Sequence, residues 1–268
     1  MANRHSTSAI NYENRVVAFI DILGFREFVT RSKHDDTLAA TLHGAITNYT
    51  GEVLDYIIES ADDIHWPIIS SFSDCIVISS TADDKGLATV FLAASEIVVR
   101  LQYAGLLCRG GLDVGKFYHD EKAAFGPALV KAYELESKHA RYPQVVLSAE
   151  AVDLLDNVCA VNACKEYFSN VVVRDGATKL MRLDPYAIFE EENVINKQLL
   201  GFSVSEFCAT AKGNIVAGLR EGFDNPGIID KYEWAAEQIG RLIKRLAPEV
   251  GEITPKDIFQ NFSLEAAN

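Results

Sequence analysis

Three side chains in this sequence stand among neighbours of a different kind. Asp21 closes the apolar run VVAFID, Asp74 sits in the turn of SFSDCIV, and Arg109 opens the glycine-bearing stretch RGGLDVGK. Two carboxylates a few ångströms apart repel and raise a pKa unless a cation lies between them. Oxygen ligands of this kind suit Mg²⁺ or Mn²⁺, which take one or two carboxylates and leave other positions to water and substrate phosphates. Gly24, just past Asp21, lets backbone N–H groups approach a phosphate, and the turn leads into a helix N-terminus that favours anions. Together they describe a metal-triphosphate site. Each residue alone has a plainer reading: Asp21 as a cap or turn former, Asp74 as a hairpin turn residue, Arg109 as a surface ion pair.

That chemistry requires both aspartates to reach one sheet edge. Residues 15–22 (RVVAFIDI) read as a strand buried on both faces. WPIISSF and CIVISS read as a hairpin turning at Ser73-Asp74, and sequential strands are often sheet neighbours. Between them, helical spacing runs from an N-cap at Asp35-Asp36-Thr37 to about Glu59 and includes Tyr49. Next come a helix over Asp83–Tyr103 stopped by Gly105, and a strand over Leu106–Tyr118 whose three glycines imply close backbone approach. A helix from Phe125 to about Lys138, the strand PQVVLS and a helix capped by Ser148 follow. The strands EYFSNVVVRD and TKLMRL flank an Asp175-Gly176 turn. The order predicts an α+β sandwich, a mostly antiparallel sheet with helices on one face. Residues 1–14 read as a flexible tail and 15–186 as the main domain. Residues 187–268 read as a helical extension, broken at Asn225-Pro226-Gly227 and packed on the core or on a second subunit.

The composition, 49% hydrophobic and 24% charged, is that of a globular protein, and no run approaches the ~18 apolar residues of a membrane span. With a polar start lacking a signal-peptide core, the expectation is a cytoplasmic chain with no membrane partner. Five cysteines, at 75, 108, 159, 164 and 208, form no CxxC and no Cys/His cluster at zinc spacing, so they suggest neither a disulfide framework nor structural zinc. A net charge of −13 opposes binding of a polynucleotide. A single nucleotide stays compatible, because a metal ion and one arginine can hold a triphosphate on an acidic protein.

Four blocks in order over about residues 15–150 resemble the class III nucleotide cyclases. FIDILGFREF resembles the signature F-x-D-I-x-G-F, and FSDCIVIS the hairpin with that family's second metal aspartate. CRGGLDVGKFY is similar to R-x-G-I-x-x-G, and AFGPALVKAYELESKHARYPQVVLS to the family's helix and strand. The resemblance implies a ferredoxin-like cyclase domain with two divalent ions, Mn²⁺ or Mg²⁺, on Asp21, Asp74 and the Ile22 backbone carbonyl. It further implies phosphates cradled by the amides around Gly24 and Phe25, Arg109 on the triphosphate, and a 3′,5′-cyclic nucleotide plus pyrophosphate as products.

The pattern departs from purine cyclases in two places. Their ribose- and transition-state-binding Asn and Arg fall at Val130 and Glu134, leaving Lys131 and Arg141 as candidate cations. Their adenine-reading Lys and Asp fall near Ile68 or Ser70 and near Ala123. F-S-D, R-G-G and G-P-A-L-x-x-A-Y-x-L-E resemble the bacterial pyrimidine cyclases of the Pycsar anti-phage systems, homodimers with composite sites whose cyclic UMP or cyclic CMP signals to a separate effector. That resemblance implies a bulky residue narrowing the base pocket, with Tyr49 as candidate. The expected activity is cyclisation of UTP, with CTP as the alternative substrate. The alternatives are an adenylate or guanylate cyclase with an altered pocket, and an inactive nucleotide-sensing module. A polymerase-like palm also pairs two acids, but the chain has no GGDEF-like hairpin.

Overall fold

The computed structural model describes residues 12–47, 67–161, 170–190 and 200–258. Strand β1 (Glu13–Ile22) lies in the middle of an eight-stranded sheet. It pairs antiparallel with β3 (Cys75–Thr81) on one side and with β4 (Cys108–His119) on the other. β2 (Ile68–Phe72) completes the hairpin outside β3. β5 (Ala124–Phe125) pairs with the end of β4, and beyond β4 come β6 (Val145–Leu147), β8 (Met181–Leu183) and β7 (Val172–Arg174). Among the described residues only the β4–β6 pairing is parallel. The protein is thus a mixed α+β fold with a largely antiparallel sheet.

The side-chain alternation of β1 shows where the helices lie. Val16, Ala18, Ile20 and Ile22 point into the main core with Leu87, Phe91, Ala94 and Ile97 of α3 (Asp84–Tyr103). Val17 and Phe19 point the other way: Val17 clusters with Ala128, and Phe19 meets Tyr133 edge-on at 5.6 Å. Both partners belong to α4 (Pro127–His139). Helices therefore cover both faces, which corrects the one-face expectation. A strand covered on both sides is apolar throughout, so its sequence carries no alternation that reports the second layer.

The glycines of β4 permit that layer. A Cβ on Gly111 would fall 2.1 Å from the Ala132 carbonyl oxygen of α4, and one on Gly110 would fall 2.4 Å from the Phe19 carbonyl oxygen. α4 begins after Gly126 with Pro127 in its first turn, while Phe125, expected inside the helix, pairs in β5. α3 is capped by Asp83, whose carboxylate accepts from the Gly86 N–H at 2.8 Å, and is followed by Gly105 at φ 84°. It is the one helix among the described residues long and apolar enough to cross a membrane, but 83% of that window is buried in the core.

After β1 the chain forms α1 (Phe25–Ser32) and α2 (Asp36–Thr47), with Asp35 accepting from the N–H groups of Thr37 and Leu38. The expected continuation to Glu59, with Tyr49, lies outside the described residues. So does part of the expected EYFSNVVVRD strand; of its described residues, Asn170 and Val171 are helical and only Val172–Arg174 form a strand, β7. Ser148 caps α5 (Ala149–Val161), its hydroxyl accepting from Ala151 N–H at 3.0 Å.

Two long helices follow: α6 (Val204–Glu221), started by a Ser203/Glu206 capping box, and α7 (Pro226–Leu246), capped by Asn225. Phe207, Ile215, Ile239 and Leu242 bury against Val99, Leu107 and Tyr186 in a second core cluster, each contributing about 1.5–3 kcal/mol of transfer free energy. Polar and aromatic ties fix α7 further. Trp234 stacks on Tyr142 at 5.9 Å, Arg182 lies over the Trp234 ring and donates to Gln238, and Arg141 pairs with Asp230 at 3.1 Å.

Candidate active site

The register of three strands assembles the site. Asp21 stands directly opposite Cys75 on β3 and Arg109 on β4. Asp74 occupies the turn between β2 and β3, where Ser73 takes φ 55°, and its carbonyl oxygen accepts the Ile22 N–H at 2.8 Å. That bond ties the hairpin tip to the end of β1. One carboxylate oxygen from each aspartate and the Cys75 Sγ lie within 4.8 Å of one another. The Cys75 thiol is pushed up to about 12, by burial first and then by Asp74 and Asp21, and it donates to Asp74 Oδ1 at 3.6 Å. It stays protonated, so a hard divalent cation would take the oxygen pair rather than the sulfur.

Arg109 projects from the same face of the sheet. Its Nε lies 3.5 Å from Asp21 Oδ2 and 2.5 Å from Glu136 Oε1. Glu136, on α4, is only 3% exposed. Burial raises the Asp21 carboxyl; Arg109 pulls against that and Asp74 adds to it. Glu136 is raised in the same way, by burial first, with Arg109 opposing and Asp21 reinforcing. Asp21 and Glu136 thus share one guanidinium while Asp74 lies beside Asp21, and a divalent cation is the charge that would balance the three carboxylates. The donor set fits Mg²⁺ or Mn²⁺.

Beyond Asp21 the chain turns at Gly24 (φ 71°), the N-cap position of α1, where no side chain caps the helix. Phe28 N–H bonds back to the Gly24 carbonyl, so the first-turn amides from Phe25 onward have no intrahelical acceptor. No atom lies within 4 Å of where a Gly24 Cβ would be, leaving open space over the turn for an anion.

The remaining sequence-derived candidates fall elsewhere. Lys131 is exposed on α4. Arg141 is exposed and paired with Asp230 of α7. Val130 and Glu134 share the outer stripe of α4, 59% exposed for Val130, and Glu134 pairs with Lys138 at 2.8 Å. Ile68 and Ser70 lie on β2, where the Ser70 hydroxyl is 2.9 Å from His119 Nε2, and Ala123 is exposed in the loop after β4. Tyr49 is outside the described residues. The structure brings together Asp21, Asp74, Arg109, Ile22 and the Gly24–Phe25 turn, and it adds Glu136, which sequence reasoning had given no role. A signal existed: Glu136 follows Ala128 and Ala132 at four-residue steps, on the stripe facing the sheet.

No protein-family model matches the chain, and no curated protein matches it in sequence. Among solved structures, it is similar to the monomeric guanylyl cyclase domain of the RhoGC fusion protein from the aquatic fungus Blastocladiella emersonii. Identity is 17% and TM-score 0.44, over 64% of this chain and 95% of that one. A similar likeness (17%, 0.43, 64% and 93%) is to the catalytic core of a rhodopsin-guanylyl cyclase with converted specificity in complex with ATPalphaS. Another is to a class III adenylyl cyclase-like ATP-binding protein from Pseudomonas aeruginosa, at 16% identity and TM-score 0.37, over 53% of this chain and 34% of that one. These likenesses are distant in sequence and in shape, and the chemistry of the site must be read from its own residues.

Proposed function

We propose that this chain is a metal-dependent nucleotide cyclase of the cytoplasm that converts UTP, or alternatively CTP, into its 3′,5′-cyclic monophosphate and pyrophosphate. The observation that carries this reading is the meeting of Asp21 and Asp74 from neighbouring strands within 4.8 Å, beside an uncapped helix N-terminus. Asp21, Asp74 and the Ile22 carbonyl would hold Mn²⁺ or Mg²⁺, which when bound lowers the pKa of a 3′-hydroxyl and neutralises phosphate charge. The amides from Phe25 onward bind and orient the terminal phosphates. Arg109, between Asp21 and Glu136, is poised to exchange a carboxylate for a phosphate oxygen as substrate enters.

The pyrimidine preference rests on the base-reading positions. Ile68 and Ala123 offer no side-chain hydrogen bond to adenine, and the Ser70 hydroxyl is engaged by His119. The sequence likeness to anti-phage pyrimidine cyclases suggests that the cyclic product is a defence signal read by a separate effector. A homodimer with composite sites belongs to this reading, as does a catalytic unit of residues 15–186 with 187–268 as its helical extension.

One observation favours a second reading, a non-catalytic nucleotide sensor: Glu134 stands where a transition-state arginine is expected, and its charge is spent on Lys138. A single experiment separates the two. Purified protein is incubated with each of the four NTPs and Mn²⁺, beside Asp21→Asn and Asp74→Asn. We expect cyclic UMP, or cyclic CMP in its place, and at least a hundredfold loss in each variant. Cyclic AMP or GMP as sole product rejects the pyrimidine assignment, and binding without any cyclic product favours the sensor.

A further inference from the structure

A cleft of about 490 Å³ opens beside the Gly24 turn. Leu23, Gly24 and Arg31 form one wall, and Glu221, Lys231 and Tyr232 of the C-terminal helices form another. Its volume is within the usual range for small-molecule sites. Two of its charges balance each other, since Arg31 lies 4.0 Å from Glu221. A further acid, Glu27, stands exposed in the first turn of α1. Lys231 is half-buried and, among the described residues, has no ion-pair or hydrogen-bond partner.

The placement of Lys231 is built rather than incidental. The preceding residue, Asp230, is held by Arg141, and Trp234, one helical turn on, is stacked between Tyr142 and Arg182. The first two turns of α7 are thereby tied to the loop after α4 and to β8, and Lys231 lines the same cleft as the Gly24 turn. A half-buried ammonium without a counter-ion, beside uncapped helix amides, is suited to an anion of high charge.

We propose that Lys231 is a substrate-binding residue of the nucleotide site, supplied by the C-terminal helices of the same chain, and that it grips the terminal phosphates of the triphosphate lying over the Gly24 turn. The proposal rests on the nucleotide reading above and deepens it. The helical extension then supplies a cation to the triphosphate end of the site, and Lys231 sets the preference for triphosphate over monophosphate. It also holds pyrophosphate after the cyclic product has formed.

Full-length protein is titrated calorimetrically, with Mn²⁺, against the 3′-deoxy forms of the four NTPs, which cannot cyclise, against the matching monophosphates, and against pyrophosphate. Lys231→Gln should weaken triphosphate and pyrophosphate binding about tenfold or more, leave the monophosphates within twofold, and melt like the wild type without ligand. Lys231→Arg should recover most of the loss. Unchanged triphosphate affinity in Lys231→Gln overturns the proposal, as does an equal loss for mono- and triphosphates or a lowered melting temperature. The cyclisation assay run in parallel keeps the two readings apart. Wild-type protein that binds triphosphate without cyclising it refutes the cyclase while the binding data still judge Lys231. Wild-type protein that binds no triphosphate refutes both.

Discussion

Asp21 and Glu136 share one guanidinium and Asp74 lies beside Asp21, so the site without metal sets three carboxylates against one cation, and burial of Asp21 and Glu136 opposes their ionisation further. A ligand that binds only the folded state raises stability by about 2.7 kcal/mol at a hundred times its Kd. Saturating Mn²⁺ should therefore raise the melting temperature by roughly 5–10 °C for a chain of this size. In Asp21→Asn the metal-induced rise should vanish, while the EDTA-treated variant melts no lower than the EDTA-treated wild type, because one crowded charge is gone. A wild-type-sized rise in the variant would remove Asp21 from the ligand set. At this scale the sequence was informative wherever an acid stood in apolar company, as at Asp21. Glu136 was harder to see, because in ELESKH it is one charged residue among several, and only the position of α4 against the sheet makes it a buried one.

The element that most constrains the site is β4, which carries Arg109 and gives α4 its seat. Its glycines were readable as points of close approach, and Gly110 and Gly111 are such points. Which helix approached, and on which face, was not readable. β1 is apolar on both sides, and α4 meets the sheet through small residues, Ala128 and Ala132, that give only a weak helical stripe. A methyl group at Gly111 would collide with backbone, at 2.1 Å from the Ala132 carbonyl oxygen, and with Leu135 Cβ at 2.7 Å, so no rotamer change relieves it. Gly111→Ala should cost about 1–3 kcal/mol in urea unfolding. It should also lower activity beyond what the lost stability explains, since lifting α4 carries Glu136 away from Arg109. Full stability in Gly111→Ala would mean that the helix is not seated on the sheet as described.

For the whole molecule, the outer surface of α4 becomes the question. Val130 is 59% and Tyr133 53% exposed. Nearby, Tyr12, Phe125 and Tyr118 form a ring stack in which Tyr12 and Phe125 are also exposed. Single exposed apolar residues are ordinary, but an aromatic stack beside an apolar helix face is the kind of surface that a protein partner covers. Glu136 turns inward to this chain's own Arg109, whereas Val130 and Glu134 lie on the outer stripe. If the protein is a twofold dimer with shared sites, as proposed above, those two positions of one copy would meet a nucleotide held by the other. Val130→Asp places a charge at the centre of that face without touching the core, so the monomer should melt within about 1 °C of the wild type, as exposed substitutions usually do. Sedimentation velocity should show a dimer for the wild type and a monomer for the variant. Specific activity should climb with wild-type concentration and be lost in the variant at all concentrations. A wild type that stays monomeric and fully active at nanomolar concentration would mean that one chain holds a complete site, and that Val130 and Glu134 never face a substrate.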